Sequence, residues 1–336
     1  MSETTGISRR SLIAAMPLVA IGTGRAKAAE FSLKVATGQS LTQPINTRLG
    51  QAVDRIREAT GGRVEIKFFP ASQLGSDTDL LSQIRSGGVD ILNIAGSVLS
   101  TIAPIAALNN VGFAFASPDA IWSSMDGALG AHIRAGIEKT GVLVMAKPGD
   151  NGIRHITSAS KQIKSPEDLK GYRIRVPVSP IFTSLFSALG ANPTSINFNE
   201  LYTALQTHLV DGQENGLVTI DSGKLYEVQK YVAETGHIWD NFWLLGNRRS
   251  ISALPADIRA IVNRELDRAM LEQRADNAAL DAKLKTELTA KGLTFNSVDR
   301  SAFRKTLAAA GFYKDWKEKF GADNWKVLED AVGALG

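Results

Sequence analysis

Stretches rich in β-branched and aromatic residues alternate with amphipathic stretches along most of this chain. In the first part of the chain, the period of two and the flanking glycines and prolines predict strands at residues 32–37, 63–69 and 89–94. Apolar positions at helical spacing predict helices at residues 44–60 and 79–86. This alternation is typical of an α/β fold with largely parallel sheets.

A second series of the same kind begins near residue 172. Residues 172–176 predict a strand, 179–189 a helix, 194–196 a short strand, and a further helix starts at about residue 199. Later, a helical pattern runs from a proline at its first turn over about residues 255–291. A helix of that length would brace both series, so we expect two tightly connected lobes.

The first 28 residues have the three parts of a bacterial export signal. Arg9 and Arg10 stand directly before an apolar run that begins at Leu12, and small residues at positions 26 and 28 suit a signal peptidase. The paired arginines indicate the twin-arginine route. The alternative is a short amphipathic start to the first domain. We therefore predict that residues 1–28 are removed and that the mature protein works in the periplasm.

Composition narrows the classes of function. The chain has 336 residues, 44% hydrophobic and 21% charged, as in soluble globular proteins. It has no cysteine, which excludes disulfides, thiolate metal sites and a cysteine nucleophile. The predicted signal carries four Lys or Arg and one Glu, so its removal lowers the net charge from +4 to +1 and argues against a nucleic-acid partner. No later apolar run reaches the ~18–20 residues that span a bilayer, so we expect no membrane insertion of the mature chain.

The common catalytic and cofactor motifs are missing from the sequence. The four histidines lie far apart, none with a second histidine three or four residues away, so no histidine-rich metal site is predicted. The chain contains neither a Gly-x-Ser-x-Gly motif nor a P-loop. We predict no catalytic residue, no metal and no cofactor. An exported hydrolase or lyase acting on an acidic substrate remains an alternative, with Glu214 or Asp79 as its base.

The clearest binding signal is a pair of arginines in one predicted strand. In residues 172–176, a period of two places Arg173 and Arg175 on one face and apolar residues on the other. An arginine in a covered strand is costly unless it is paired or faces a cleft. Because Arg175 stands at the C-terminal end, where open α/β sheets bind ligands, it is either a ligand clamp or one half of a structural ion pair.

Two further segments offer polar groups. Arg154 follows a glycine turn near a predicted crossover between the two series, and is either a surface arginine or a ligand contact. Residues 211–216 place four hydrogen-bonding side chains beside two glycines. Such a run is usually a turn. Because it leads from a helix towards a predicted buried strand, it also suits an amide that is presented to a ligand.

Several longer motifs occur in one order along the chain. They are FPASQLG at residues 69–75, DLKGYRIRVP at 168–177, ALGANP at 188–193, ELYTALQ at 200–206 and VDGQEN at 210–215. In sequence and order they resemble the extracytoplasmic substrate-binding proteins of TRAP (tripartite ATP-independent periplasmic) transporters, of the dicarboxylate-binding-protein (DctP) type. With the export signal, the resemblance covers about the whole chain.

The resemblance implies a two-lobed α/β clamp, in which each lobe is a mostly parallel sheet flanked by helices. We predict lobe 1 from residues 29–150 and about 238–270, and lobe 2 from residues 151–237 and about 290–336. The long helix at about 255–291 would bridge the lobes. The clamp is expected to close on a small organic acid and to deliver it to the small and large TRAP membrane subunits.

The resemblance also implies which residues bind the ligand. Arg175 would grip the ligand carboxylate, and Arg154 and Asn215 would lie in the site. Asp79 is taken as the acidic residue that follows the Gln-Leu-Gly motif. Gly216 stands where the family has proline, so the local backbone is expected to be looser. The full set of predicted ligand contacts is Arg175, Arg154, Asn215, Asp79, Phe198, Trp239 and Gln39.

Charge and aromatic content predict the class of ligand. Residues 239–243 hold three aromatic rings, far above the 7% of the whole chain, and these rings either fill the core or form a flat wall of the pocket. Only Arg175 and Arg154 are candidate cations, and an unpaired buried charge is costly, which favours a monocarboxylate. We expect a hydroxy, oxo or aromatic monocarboxylate, with C4-dicarboxylates second. A ligand sensor that closes in the same way remains an alternative to transport.

Overall fold

A computed structural model of the chain describes residues 1–2 and 29–335. The predicted export signal therefore lies outside the described residues, apart from its first two positions. Within the described part, ten strands and thirteen α-helices alternate as the sequence pattern predicts. No helix among the described residues combines the length and the apolar composition needed to cross a bilayer.

Strands and α-helices are numbered separately along the chain. The strands are β1 (Phe31–Thr37), β2 (Val64–Phe69), β3 (Ile91–Ala95), β4 (Val142–Val144), β5 (Gly149–Ser158), β6 (Arg173–Val176), β7 (Asn192–Ser195), β8 (Gly212–Gly216), β9 (Tyr231–Asn247) and β10 (Thr294–Ser297). The helices are α1 (Pro44–Ala59), α2 (Asp77–Ser86), α3 (Gly96–Leu99), α4 (Pro118–Met125), α5 (Ala128–Glu138), α6 (Pro180–Ala188), α7 (Phe198–Gln206), α8 (Leu217–Ser222), α9 (Arg248–Ser252), α10 (Ala256–Ala290), α11 (Arg300–Ala309), α12 (Phe312–Phe320) and α13 (Ala322–Val332).

Two groups of parallel strands flank a pair of long antiparallel strands. In the first group, β1 pairs in parallel with β2 and β3, and in the second, β6 pairs in parallel with β7 and β8. β5 and β9 run antiparallel to each other and join the groups, because β9 also pairs with β3 and β5 also pairs with β8. The predicted two-lobed α/β architecture is confirmed. The two lobes share β5 and β9, so their strands form one continuous sheet.

The pairing of β5 with β9 is interrupted where the two groups of strands meet. Arg154 pairs with Ile238, but the next pair joins Ile156 to Ala233, so four residues of β9 stand opposite one residue of β5. Gly236, within this insertion, has a φ of +51°, which favours glycine. An insertion of this kind bends a strand and increases its twist. The insertion therefore marks the place where the two halves of the continuous sheet meet.

Helix α10 is 35 residues long and contacts both halves. It is buried along one face, at positions spaced mostly three or four apart: Ile258, Val262, Leu266, Ala269, Gln273 and Asn277. In its first half, Glu265 accepts from Arg55 of α1 at 2.8 Å. Towards its end, Lys285 pairs with Glu234 of β9 at 2.8 Å. The predicted long bridging helix is therefore confirmed.

The last three helices, α11 to α13, also contact both halves. The indole N–H of Trp316 on α12 donates to Ser184 Oγ on α6 at 3.0 Å. His132 Nε2 on α5 lies 2.6 Å from Asn324 Oδ1 on α13. Because these helices pack on elements from both groups of strands, the lobe boundaries drawn from the sequence stay a prediction.

Candidate functional site

A small polar cavity, here called the Arg175 pocket, lies between the two groups of strands. Its volume is about 20 Å³, which is room for about one water molecule. Five of the seven predicted ligand contacts line it: Gln39, Arg154, Arg175, Phe198 and Asn215. The other lining residues are Asp77, Ala95, Ser97, Val98, Asn151, Pro177 and Thr219. The fold thus brings together residues that come from both halves of the molecule.

Arg175 is a buried cation at the end of β6. Its Nε and Nη2 both donate to the carbonyl oxygen of Ile196, at 2.9 and 2.6 Å. No carboxylate among the described residues forms an ion pair with it. Burial lowers the pKa of Arg175 to about 10, although the charge of Glu214 opposes that shift, so the side chain stays cationic at neutral pH. A buried guanidinium without a carboxylate partner is costly, which suits it to bind an anion.

Arg154 is buried too, but it is fully paired. Its Nε donates to Glu214 Oε2 at 2.6 Å and its Nη2 donates to Oε1 at 2.9 Å, across the β5–β8 pairing. Nη2 also donates to Asn215 Oδ1 at 2.8 Å. Although burial opposes the charge, Glu214 raises the pKa of Arg154. Arg154 therefore orients Asn215 in the pocket, while most of its own charge is neutralised.

Glu214 connects this pair to the insertion in β9. His237 Nε2 lies 3.1 Å from Glu214 Oε2, and His237 Nδ1 lies 2.7 Å from the hydroxyl of Thr235. Burial lowers the pKa of His237, against the opposing effect of Glu214. The histidine is therefore neutral at pH 7. The buried carboxylate thus links a wall of the pocket to the place where the two halves of the sheet join.

Asp79 does not line the pocket, which corrects the prediction from sequence. Helix α2 begins at Asp77, two residues earlier than the sequence pattern indicated, and Ser76 caps it. Asp79 closes a capping box, accepting from the Ser76 N–H at 2.9 Å and from its hydroxyl at 2.7 Å. Asp77 lines the pocket instead. The start of the helix decides which of the two carboxylates faces the cleft.

The Asp77 carboxylate is buried, and no described residue donates a hydrogen bond to it. Burial raises its pKa to about 6, although the charge of Arg175 opposes that shift. The carboxylate packs directly on the backbone of Gly38, where a Cβ atom would lie 2.1 Å from Asp77 Oδ1. Glycine is required at position 38 for this approach. The pocket therefore holds a carboxyl group that titrates in the mildly acidic range.

Trp239 lies outside the Arg175 pocket, in a separate cavity. Its indole N–H donates to Asp150 Oδ1 at 2.8 Å. Its ring packs edge-on against Phe115 and Trp122, with ring centroids 5.7 and 5.3 Å apart. The sequence left open whether this ring fills the core or forms a wall of the ligand pocket. In the structure the ring packs against other aromatic rings and does not line the Arg175 pocket. Because β9 is buried on both faces, alternation of apolar and polar residues could not show which way the Trp239 ring points.

Besides Asp77, three polar residues at the pocket were not predicted from the sequence as ligand contacts: Ser97, Asn151 and Thr219. The Ser97 hydroxyl donates to Asp240 Oδ2 at 2.7 Å, and Asn151 Nδ2 donates to the same oxygen at 3.1 Å. Asp240 is completely buried within β9. The sequence held one signal for these residues, which is the carboxylate of Asp240 inside an apolar strand. A buried carboxylate needs hydrogen-bond donors around it, and Ser97 and Asn151 supply them.

Direct hydrogen bonds join the two sides of the cleft. Gln43, the residue before α1, donates its Nε2 to Thr219 Oγ1 on α8 at 3.3 Å. Asn197, the residue before α7, donates its Nδ2 to Thr78 Oγ1 on α2 at 3.2 Å. These bonds connect the two halves of the molecule directly across the cleft.

A polar pocket between two α/β halves, with several amides and a buried arginine that has no carboxylate partner among the described residues, is the arrangement of a protein that binds a small anion. Among the described residues, no group of His, Asp and Glu side chains is placed to hold a metal. Residues 35–319 match the family described as bacterial extracellular solute-binding protein, family 7, and the chain belongs to this family. Members bind solutes for transporters and are not enzymes, so the hydrolase or lyase alternative is set aside.

Known proteins resemble the chain over most of its length. A solute-binding protein of Roseobacter denitrificans is 33% identical over 299 residues, which are 88% of this chain and 90% of that protein. An uncharacterized protein of Sinorhizobium fredii is 32% identical over 309 residues, 90% of this chain. This chain spans 57% of the length of the S. fredii protein.

Two crystal structures of TRAP periplasmic solute-binding proteins have the same fold. One, from Sulfurospirillum deleyianum with bound succinate, has a TM-score of 0.85 at 27% identity and covers 90% of this chain and 99% of its own. The other, from R. denitrificans with bound L-galactonate, has a TM-score of 0.83 at 29% identity and covers 91% and 99%. The chain is therefore similar to proteins that bind small organic acids.

Proposed function

We propose that this protein is the periplasmic receptor of a TRAP transporter and that it is exported by the twin-arginine route. Arg9 and Arg10, directly ahead of an apolar run, support the export route. Membership of an extracellular solute-binding family, and relatives described as periplasmic, support the compartment. In this role the protein captures a small organic acid and passes it to the small and large membrane subunits.

The observation that carries the proposed binding mode is the unpaired guanidinium of Arg175. One edge of the group, Nε and Nη2, is used by the carbonyl of Ile196. Nη1 and the second hydrogen of Nη2 remain for two parallel N–H···O bonds to a carboxylate. Such charge-assisted pairs are roughly twice as strong as neutral hydrogen bonds and also set the orientation of the ligand.

The charges around the pocket favour a ligand with one carboxylate. Glu214 neutralises the charge of Arg154. A second carboxylate is also near, because Asp240 Oδ2 lies 3.8 Å from Arg154 Nη1. Arg175 is then the one cation lining the pocket that has no carboxylate partner among the described residues. A second ligand carboxylate would lack a cation and would meet the carboxyl group of Asp77. We therefore propose a monocarboxylate with hydroxy or oxo groups for Asn215, Asn151 and Thr219, with dicarboxylates such as succinate second.

We also propose that the two lobes open to admit the ligand and close around it. The Arg175 pocket is lined by residues from both halves, so a ligand that contacts both sides would have to enter between the lobes. Few direct bonds cross the cleft, such as Gln43 to Thr219 and Asn197 to Thr78. Because these are neutral hydrogen bonds, each contributes only about 1 kcal/mol to closure. A ligand that bridges both sides would add more than that.

Calorimetric titration of organic acids into folded variants tests the clamp. Arg175→Lys keeps the charge but loses the planar fork, so we expect affinity to fall by about tenfold or more. Arg175→Ala should abolish binding. Arg173→Ala is the matched control, because Arg173 lies on the same strand but is half exposed and pairs with Asp211 at 2.5 and 2.9 Å. Near-native affinity in Arg175→Lys would overturn the two-bond clamp.

A thermal-shift screen identifies the ligand. A solute that binds only the folded state at a hundred times its Kd stabilises that state by about 2.7 kcal/mol. We expect stabilisation by sugar acids, 2-oxo acids or aromatic monocarboxylates. Stabilisation by succinate or malate alone would overturn the monocarboxylate proposal and leave the clamp intact.

A further inference from the structure

Two adjoining cavities, together called the Arg300 groove, lie apart from the Arg175 pocket and share no lining residue with it. Their volumes are about 170 and 320 Å³. Both are lined by residues 113–116 and by Arg300, the first residue of α11. The smaller cavity also reaches Gly236 and His237, in the insertion of β9 where the two halves of the sheet join.

The walls of the groove are mostly apolar. Trp239 and Phe115 line the smaller cavity, and Val332 and Leu335 line the larger one. Phe113 borders both, and its backbone is held in place because its N–H donates to the carbonyl of His237 at 2.8 Å. A concave, largely apolar surface with a few polar groups is typical of small-molecule sites.

The charged groups at the groove are cationic. Arg300 donates from Nη2 to the Gly236 carbonyl at 3.0 Å, and its guanidinium carbon lies 5.8 Å from the centre of the Phe113 ring. Arg304, one helical turn later, donates to the Ala334 carbonyl at 3.3 Å. Neither arginine forms an ion pair with any described residue. No Asp or Glu is among the described residues that line either cavity.

The nearest carboxylate in sequence does not neutralise Arg300. Asp299 caps α11, and its Oδ1 accepts from the Ser301 N–H at 2.9 Å. Two guanidinium groups that have no carboxylate partner among the described residues therefore line an apolar groove. Each still has N–H groups that suit the two oxygens of a carboxylate.

We propose that the Arg300 groove is a second binding site, which takes a small amphipathic carboxylate. The apolar body of the ligand packs against Phe113, Phe115 and Leu335, and its carboxylate is bound by Arg300 with help from Arg304. This ligand is distinct from the solute in the Arg175 pocket, because the two sites share no residue and the groove offers an apolar surface in place of amides.

Titration with octanoate, followed by calorimetry on the purified protein, tests the second site. We expect octanoate to bind wild type and Arg175→Ala with equal affinity, since Arg175 lies in the other pocket. Arg300→Gln removes the principal cation and should weaken octanoate binding at least tenfold. Ala116→Trp adds a ring at an exposed position that lines both cavities and should block the groove. Both variants should bind the transported solute like wild type.

Three results would overturn the proposal: no octanoate binding to wild type, loss of octanoate binding in Arg175→Ala, or unchanged binding in both Arg300→Gln and Ala116→Trp. Octanol is the uncharged control, and binding as tight as that of octanoate would exclude a role for the arginines. Melting curves of each variant, recorded without ligand, identify any loss that comes from unfolding.

Discussion

The buried ion pair between Arg154 and Glu214 is the strongest electrostatic contact at the pocket. Both side chains are almost completely buried, and two bonds of 2.6 and 2.9 Å join them. Glu214→Gln would leave a buried guanidinium with only Asp240 nearby, and removing one partner of such a pair costs about 3–5 kcal/mol. We expect urea unfolding to show a loss of about 3 kcal/mol in the free energy of unfolding.

The pair between Arg173 and Asp211 is the matched control for this prediction. It has the same bidentate geometry, but Arg173 is half exposed. Exposed pairs contribute about 0–1 kcal/mol. Asp211→Asn should therefore lower the free energy of unfolding by no more than about 1 kcal/mol. Equal losses in the two variants would show that burial is not what makes the Glu214 pair important.

Asp77 should make both stability and binding depend on pH. Burial raises its pKa to about 6, against an ordinary value of ~3.9. Between about pH 4 and 6 the folded protein holds a proton that the unfolded chain has released, so the free energy of unfolding falls as pH rises through this range. Two pKa units correspond to about 2–3 kcal/mol.

A ligand carboxylate would add a second negative charge beside Asp77, so it should bind more tightly when Asp77 is protonated. Affinity for the organic acid should therefore be roughly three- to tenfold higher at pH 5 than at pH 7.5, a difference of about 1 kcal/mol. His155 does not titrate in this range, because burial lowers its pKa to about 3. Asp77→Asn should remove the pH dependence of affinity and reduce that of stability, to which other carboxyl groups also contribute, such as buried Asp150, whose pKa burial raises. A variant that keeps the wild-type pH profile would assign it to another group.

At the scale of elements, buried amide side chains join α10 to β5, and Gln273 makes two of their hydrogen bonds. Gln273 Oε1 accepts from the Asp150 N–H at 2.7 Å, and its Nε2 donates to the Asp150 carbonyl at 2.8 Å. Asn277, one turn later, donates to the same carbonyl at 2.8 Å. Gln273→Leu would leave the Asp150 N–H buried without an acceptor. We expect it to lower the free energy of unfolding, measured in urea, by about 2 kcal/mol.

Lys283→Ala, on the same helix, is the control for this prediction. Lys283 is exposed, and substitutions at such positions usually change the free energy of unfolding by at most about 0.5 kcal/mol. If both variants lose the same stability, helix propensity and not the bond to β5 explains the effect. Gly149 allows α10 to pack closely on β5 at this position. A Cβ atom at residue 149 would lie 3.0 Å from Gln273 Oε1.

At the scale of the whole molecule, the proposed opening can be blocked by one cross-link. Ser100, at the end of α3, and Ser179, directly before α6, lie on opposite sides of the cleft with their hydroxyl oxygens 3.4 Å apart. Because the chain has no cysteine, Ser100→Cys with Ser179→Cys creates a single disulfide pair. The oxidised variant should neither take up nor release ligand, and reduction should restore both.

Small-angle scattering provides the second measurement for this prediction. We expect ligand to make the wild-type protein more compact, and to leave the dimensions of the oxidised double variant unchanged. Each single cysteine variant is a control and should behave like wild type. Exchange of ligand at the wild-type rate in the oxidised variant would show that the pocket fills without any opening of the cleft.

Much of the site was predictable where one local rule decided the answer. The period of two in β6, together with its end at Pro177, predicted that Arg175 faces the cleft, and Arg175 lines the pocket. Asp79 does not line the pocket, because Ser76 starts α2 two residues earlier than the apolar pattern indicated and so places Asp77 there instead. Trp239 was ambiguous because β9 is covered on both faces, so its period carries no information about direction.

The sequence by itself determined the local features: the α/β alternation, the extent of α10, the motifs of the family, and the position of Arg175 at a strand end. Only the tertiary structure decided which charges meet. Pairing of β5 with β8 brings Glu214 to Arg154, and no carboxylate in the described part of the chain pairs with Arg175. The reason is physical: periodicity and caps act within a few residues, whereas charge pairing depends on strands that lie sixty positions apart in the chain.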